Sequence, residues 1–180
     1  DGTNLGPGHA FNSGFEWILQ NSKDHEHDKI ISMEADCTAD LSIIGKMVRI
    51  SDIGFDLVLA SVYLQGGELE KTTWLRKLLS FFANMIMRFK FDIKVLTLSS
   101  FYRLYSVRLI KMIKDKYSVI INENGFISMI EILLKAIKVR ASIIEIPARL
   151  LSDKRNGVSK MKKFKTLISY LKFLGNTNIK

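Results

Sequence analysis

Short β-like runs and longer helical ones alternate along the first half of this chain. Gly8 to Asn21 carries Ala10, Phe11, Phe15, Trp17, Ile18 and Leu19 as a broad apolar face, which predicts a helix. A polar stretch from Ser22 to Asp28 follows, and Ile30 to Met33 predicts a short buried strand that ends at Glu34-Ala35-Asp36. Asp40 suits the N-cap of a helix running towards Val48, and Asp56 to Ser61 reads as a second buried strand. Gln65-Gly66-Gly67 breaks the pattern before a long helix predicted over Glu70 to Lys90. Beyond Asp92 the pattern is less regular. It predicts a strand near Val95, a loop at Leu98 to Phe101, helices at Val107 to Lys114 and Ile127 to Lys138, strands at Ala141 to Ile146 and Ala148 to Leu151, and a closing helix from Ser159 to Leu174.

Strands separated by helices of ~10–20 residues predict an α/β fold with a mainly parallel sheet flanked by helices. In such a sheet the ligand crevice lies beyond the carboxyl ends of the strands, which directs attention to the residues after Met33, Ala60 and Val95. At 180 residues the chain forms one domain with room for a sizeable core. The patterning divides it into residues 1–158 and a basic amphipathic end, 159–180.

Two prolines, no low-complexity tract and 47% hydrophobic residues exclude a disordered chain. A single cysteine, Cys37, excludes an internal disulfide and fits the cytosol. The polar, glycine-rich opening is not a secretory signal, and no apolar run approaches the ~20 residues of a membrane span. The first residue is Asp rather than Met, so the chain is expected to begin inside a longer gene product or to be a trimmed piece.

Charge adds one feature. The net charge of +9 is concentrated late, where Lys154, Arg155, Lys160, Lys162, Lys163, Lys165, Lys172 and Lys180 accompany a single acid, Asp153. Such an end attracts phosphate in some form, or is a solvated lysine-rich face.

Four stretches could carry chemistry. Glu34 and Asp36 stand at i and i+2 where a strand ends, so both can reach one hard divalent cation; Asp36 and Asp40 would equally serve as helix caps. Asn4-Leu5-Gly6-Pro7-Gly8-His9-Ala10 is a glycine-rich turn opening a helix, which suits an anion or a plain turn. Lys154-Arg155-Asn156-Gly157-Val158-Ser159-Lys160 offers cations and a flexible glycine to phosphate, with Ser159 also a good N-cap. In the closing helix Met161, Phe164, Leu167, Ile168, Leu171 and Leu174 share one face, which fits a membrane interface or packing on the domain. His9, His25 and His27 form no metal cluster, and Cys37 has no evident catalytic partner.

The order of these stretches resembles that of inverting family-two glycosyltransferases, and most nearly the polyprenyl-phosphate glycosyltransferases such as dolichol-phosphate mannosyltransferase. Asn4, Gly6, Gly8 and Ala10 match an Asn-x-Gly-x-Gly-x-Ala segment, and Glu34-Ala35-Asp36 stands at the family's metal-binding Asp-x-Asp. Ala60-Ser61-Val62-Tyr63, Gly66-Gly67 and then Trp74, Arg76, Ser80 and Asn84 follow a Gly-Ser-Arg-Tyr strand end, a Gly-Gly loop and a helix. Ser99-Ser100-Phe101-Tyr102-Arg103 echoes a Thr-Ser-Gly-Phe-Arg loop. Glu131, Glu145-Ile146-Pro147 and the Gly-x-Ser-Lys stretch with Lys154, Gly157, Ser159 and Lys160 complete the series.

Departures from the pattern are Glu34 for Asp, Val62 for Arg, Phe101 for Gly, Thr97 where Asp is common, and Lys154 for Arg. The resemblance implies a nucleotide-diphospho-sugar transferase (GT-A-like) fold lacking its N-terminal nucleotide-binding part. It implies transfer of mannose or a similar sugar from GDP-mannose or a UDP-sugar to a polyprenyl or dolichyl phosphate. It also implies Mg or Mn held by Glu34 and Asp36, with Asp36 and Arg103 at the reacting centre. Arg76, Lys154, Arg155, Ser159 and Lys160 would then gather phosphates, and Asn4, Gly6 and Gly8 would lie against the donor. The location expected is peripheral, at the cytosolic face of a membrane. A soluble or polysaccharide acceptor, and a non-catalytic relative of the same fold, are the alternatives. Nucleic acid is not expected as a partner, because no recognition motif accompanies the basic end.

Overall fold

The computed structural model describes residues 5–69, 85, 88–125, 127–151 and 173. Helix α1 (Pro7–Asn21) begins with Pro at its first turn, where the missing N–H is no loss, and Gly6 precedes it at φ 87°. Strand β1 (Lys29–Ser32) follows the polar loop. Asp40 then accepts a bond from Ser42 N at 3.0 Å to cap a short 3-10 turn (Leu41–Ile43) that runs into α2 (Ile44–Asp52). Strand β2 (Leu57–Ser61) is buried along its whole length, as its unbroken apolar run predicts. The two-residue β3 (Glu68–Leu69) comes next.

Of the helix expected over Glu70 to Lys90, residues 85 and 88–90 are described and are helical; the rest lies outside the described residues. Strand β4 (Arg103–Ser106) leads directly into α3 (Val107–Tyr117), where Ser106 caps the helix by accepting from Leu109 N at 3.1 Å. Helix α4 (Ile127–Lys138), β5 (Ile143–Pro147) and β6 (Arg149–Leu150) complete the order.

The main sheet has four strands in the order β1-β4-β2-β5, and β3 pairs with β6 separately. The sheet corrects the expectation of a mainly parallel arrangement: β2 and β5 are parallel, but β4 is antiparallel to both β1 and β2. The expected strand near Val95 is also absent, and the central strand is Arg103–Ser106 instead. Phe101 O accepts from Ser32 Oγ, so the stretch preceding β4 already lies where β1 ends, and β4 can enter only against the direction of its neighbours.

It follows that β1, β2 and β5 run the same way and finish at one edge, where β4 starts. We refer to this as the carboxyl edge. Side chains alternate across the sheet. Leu57, Leu59 and Tyr105 pack beneath α1, α3 and α4, while Val58, Ala60, Leu104 and Ile146 pack against Met47 of α2. Phe173 is buried in the first cluster with its ring 6.1 Å from that of Phe91; the remainder of the predicted closing helix, and the boundary at 158, lie outside the described residues.

Candidate active site

Glu34–Asp36 after β1, Ser61–Gly67 after β2 and Ser99–Arg103 at the start of β4 all lie at or next to the carboxyl edge. Glu34 is exposed and Asp36 half-buried, directly after β1. Asp36 Oδ1 accepts from Thr38 N at 3.2 Å and from Thr38 Oγ1 at 2.6 Å, closing a tight turn in which Cys37 takes φ 62°. Thr38 is buried, and its carbonyl accepts from Leu151 N at 3.0 Å, while Ala39 bridges Leu150. The turn that carries Asp36 is therefore fastened to the chain a few residues before Lys154.

The end of α1 reaches the same edge through aromatic stacking: Phe11 lies on Phe101 with centroids 5.4 Å apart and planes 8° from parallel. Gly8 is required there by close approach. A Cβ at that position would overlap Glu123 O and meet Asn124 Cα at 3.0 Å. Gly8 thus packs α1 onto the loop before α4. At the end of β2, Gly67 approaches so closely that a Cβ would meet Ser61 O at 2.7 Å, and Gly66 (φ 90°) sits over Pro147.

Arg103 stands level with Ser32 in the sheet, at the carboxyl edge, and its side chain is wholly buried. Its Nε donates to Ser100 O at 2.7 Å, one terminal nitrogen to Met129 O at 2.8 Å, and the other to Leu98 O at 2.6 Å. The guanidinium ties α4 and the loop before β4 together, and it faces main-chain carbonyls rather than solvent. Glu131 is likewise internal. It pairs with Lys135 at 2.7 Å and accepts from the main-chain N–H groups of Asn122 and Glu123, fixing the loop that Gly8 rests on.

Two of the departures, Thr97 and Phe101, are accommodated locally. Thr97 is buried and donates to Ser61 Oγ at 2.7 Å; Phe101 is buried on Phe11 with no positive φ, so a glycine is not needed there. Tyr102 donates to Asp40 O at 2.8 Å, and burial first, then the Asp40 charge, push its hydroxyl up to about 12. Asn4, Arg76, Lys154, Arg155, Ser159 and Lys160 lie outside the described residues.

No cluster of three or more His, Cys, Asp or Glu suited to a metal ion occurs among the described residues. Glu34 and Asp36 are nonetheless a hard-oxygen pair of the kind Mg uses when substrate phosphates and water complete its shell, so the donor set fits such an ion. Sequence reasoning missed Ser32, and it named Ser61, Thr97 and Glu145 only as positions of the family pattern, without the contacts they make. Their partners are distant in sequence, and only the polar residue at a strand end hinted at them.

No protein-family model matches the chain. It is 28% identical over 156 residues to a polyprenol monophosphomannose synthase of Mycolicibacterium smegmatis, covering 87% of this chain and 56% of that protein. It is 29% identical over 161 residues to a dolichol-phosphate mannosyltransferase of Pyrococcus furiosus, covering 87% of this chain and 42% of that protein. The chain spans about half the length of the curated relatives it matches. Over most of its own length, then, it is similar in sequence to polyprenyl-phosphate glycosyltransferases.

Proposed function

We propose that this chain is part of a glycosyltransferase that moves mannose, or a similar sugar, from a nucleotide diphospho-sugar such as GDP-mannose or a UDP-sugar to a polyprenyl or dolichyl phosphate. One observation carries the reading: the carboxylate turn, the Gly8 end of α1 and the loop before β4 meet at one sheet edge. That edge is where open α/β sheets hold ligands. The fold proposed is GT-A-like, with nucleotide-binding strands preceding this stretch in the whole protein.

Glu34 and Asp36 would hold Mg or Mn. When bound, such an ion supplies positive charge to the donor diphosphate. Asp36 is oriented for this by its bonds to Thr38. The acceptor phosphate is its own nucleophile: its oxygen bonds to the anomeric carbon as the bond to the nucleotide diphosphate oxygen breaks, and no strong protein base is needed. Arg76 and the Lys154, Arg155, Ser159 and Lys160 stretch would gather phosphates. The hydrogen bond from Leu151 N to Thr38 O supports that assignment, since Leu151 lies against the Asp36 turn and precedes Lys154 by three residues in sequence. Asn4, Gly6 and Gly8 would border the donor.

No helix among the described residues is long and apolar enough to cross a membrane. Residues 159–180 are proposed to meet the cytosolic membrane surface peripherally. The burial of Phe173 in the core argues for packing on the domain at that point. A second reading, a relative that keeps the fold without transfer, is favoured by the burial of Arg103 and Phe101.

Radiolabelled sugar transfer by the full-length protein tests the choice, with several nucleotide sugars, polyprenyl phosphate, and Mn or a chelator. Metal-dependent transfer is expected. A folded protein that transfers from no donor would leave the non-catalytic reading.

A further inference from the structure

Leu96 to Phe101 is a loop with no regular structure, yet every strand of the main sheet sends one side chain to hold it. From β1, Ser32 Oγ donates to Phe101 O at 2.6 Å. From β2, Ser61 Oγ accepts from Thr97 Oγ1 at 2.7 Å. From β4, Arg103 donates to Leu98 O at 2.6 Å and to Ser100 O at 2.7 Å. From β5, Glu145 accepts from Leu96 N at 2.8 Å with one carboxylate oxygen and from Thr97 N at 2.7 Å with the other. Ser61 and Arg103 are fully buried and Ser32 nearly so. Thr97, Leu98 and Phe101 are themselves buried, and a buried arginine used on main-chain carbonyls is a heavy commitment of polar groups to one short stretch.

The clamps engage Leu96, Thr97, Leu98, Ser100 and Phe101, and Ser100 Oγ in turn accepts from Tyr102 N at 3.1 Å. Ser99 is the exception. It is half-exposed, and its hydroxyl has no partner among the described residues. A rigid loop that presents one unengaged hydroxyl at the edge carrying Glu34 and Asp36 is built to meet a ligand, since preorganised donors need no rearrangement when the ligand arrives.

We propose that Ser99 donates a hydrogen bond to an oxygen of the bound sugar-diphosphate. We further propose that Glu145 acts as a positioning residue for Ser99 by fixing Leu96 and Thr97. The inference rests on the transfer activity proposed above. Glu145 suits the role because a carboxylate offers two acceptor oxygens to two N–H groups, whereas a glutamine would set an amide NH₂ against one of them.

The test compares three variants of the full-length protein in the transfer assay, with thermal unfolding recorded for each. Ser99→Ala, at a half-exposed position, should leave Tm unchanged and lower kcat/KM for the donor about tenfold. Glu145→Gln should lower kcat at least about tenfold at a temperature well below its Tm. Asp56→Asn is the control. Asp56 is a more deeply buried carboxylate that accepts from Ser106 Oγ, Arg108 and Ser142 N, but where β2 begins, at the opposite edge of the sheet. It should lower Tm and leave kcat within twofold. Wild-type kinetics in Ser99→Ala, or equal losses of kcat in Glu145→Gln and Asp56→Asn, would overturn the inference while leaving the transferase reading intact. An inactive wild-type protein would remove both.

Discussion

Two glycines in α1 should respond in opposite directions to the same substitution, and the difference follows from what surrounds them. Gly8 faces the loop before α4, where an added Cβ overlaps Glu123 O and meets Asn124 Cα at 3.0 Å and Glu123 C at 3.1 Å. These are backbone atoms, fixed in turn by the Glu131 carboxylate, so the clash cannot be relieved by turning a side chain. Overpacking of this kind costs about 3 kcal/mol at the upper end of its usual span, offset by about 1 kcal/mol of helix propensity gained by Ala over Gly, for a net loss of about 2 kcal/mol. Gly14 lies in the same helix with nothing within 4 Å of its would-be Cβ. There Ala should stabilise by about 0.5–1 kcal/mol. The two variants should thus differ by close to 3 kcal/mol, or about 6–12 °C in Tm at the ~2–4 °C per kcal/mol of a domain this size. Urea and thermal unfolding of Gly8→Ala and Gly14→Ala measure this directly. Shifts of the same sign, or a neutral Gly8→Ala, would refute the packing of α1 onto that loop.

Glu131→Ala should cost about 3–5 kcal/mol in urea unfolding, because it strands the buried Lys135 charge and orphans the Asn122 and Glu123 N–H groups. Replacing Glu131 and Lys135 together by apolar residues should recover much of that loss. Tyr102→Phe should cost about 1 kcal/mol at neutral pH through loss of the bond to Asp40 O. It should also flatten the alkaline limb of stability. With its folded value raised from 10.0 to about 12, Tyr102 keeps its proton in the fold while the unfolded chain releases it, so stability falls as pH rises through that window. A wild-type protein and a Tyr102→Phe variant with identical losses from pH 10 to 12 would contradict the assignment.

Elements with a clear rhythm were legible in the sequence. Ile127–Lys138 was expected and found with the same bounds, and α1 differs by one residue at its start. The short run Arg-Leu-Tyr-Ser of β4 was not legible. Its apolar residues are too few to signal a strand, and its arginine is tolerated in the sheet only because Ser100, Met129 and Leu98 supply carbonyls from elsewhere. Missing that strand made the sheet look mainly parallel. At the site, Glu34 and Asp36 were visible because a buried run ends on two acids. The clamps on Leu96–Phe101 were not, since Ser32, Ser61, Arg103 and Glu145 come from four strands and share nothing but their destination. Phe101 stands where the family pattern has a glycine; Phe11 stacks on it and makes it part of the wall.

In the function proposed, Asp36, held by Thr38 at the carboxyl edge, would organise a metal-assisted transfer to polyprenyl phosphate. Initial rates of labelled sugar transfer, measured across a Mn titration for the full-length protein and its Asp36→Asn variant, test it most directly. The account predicts metal-dependent transfer by the wild type and a loss of about a hundredfold or more in the variant at every Mn concentration, with Tm little changed. Equal rates in the two proteins would contradict it.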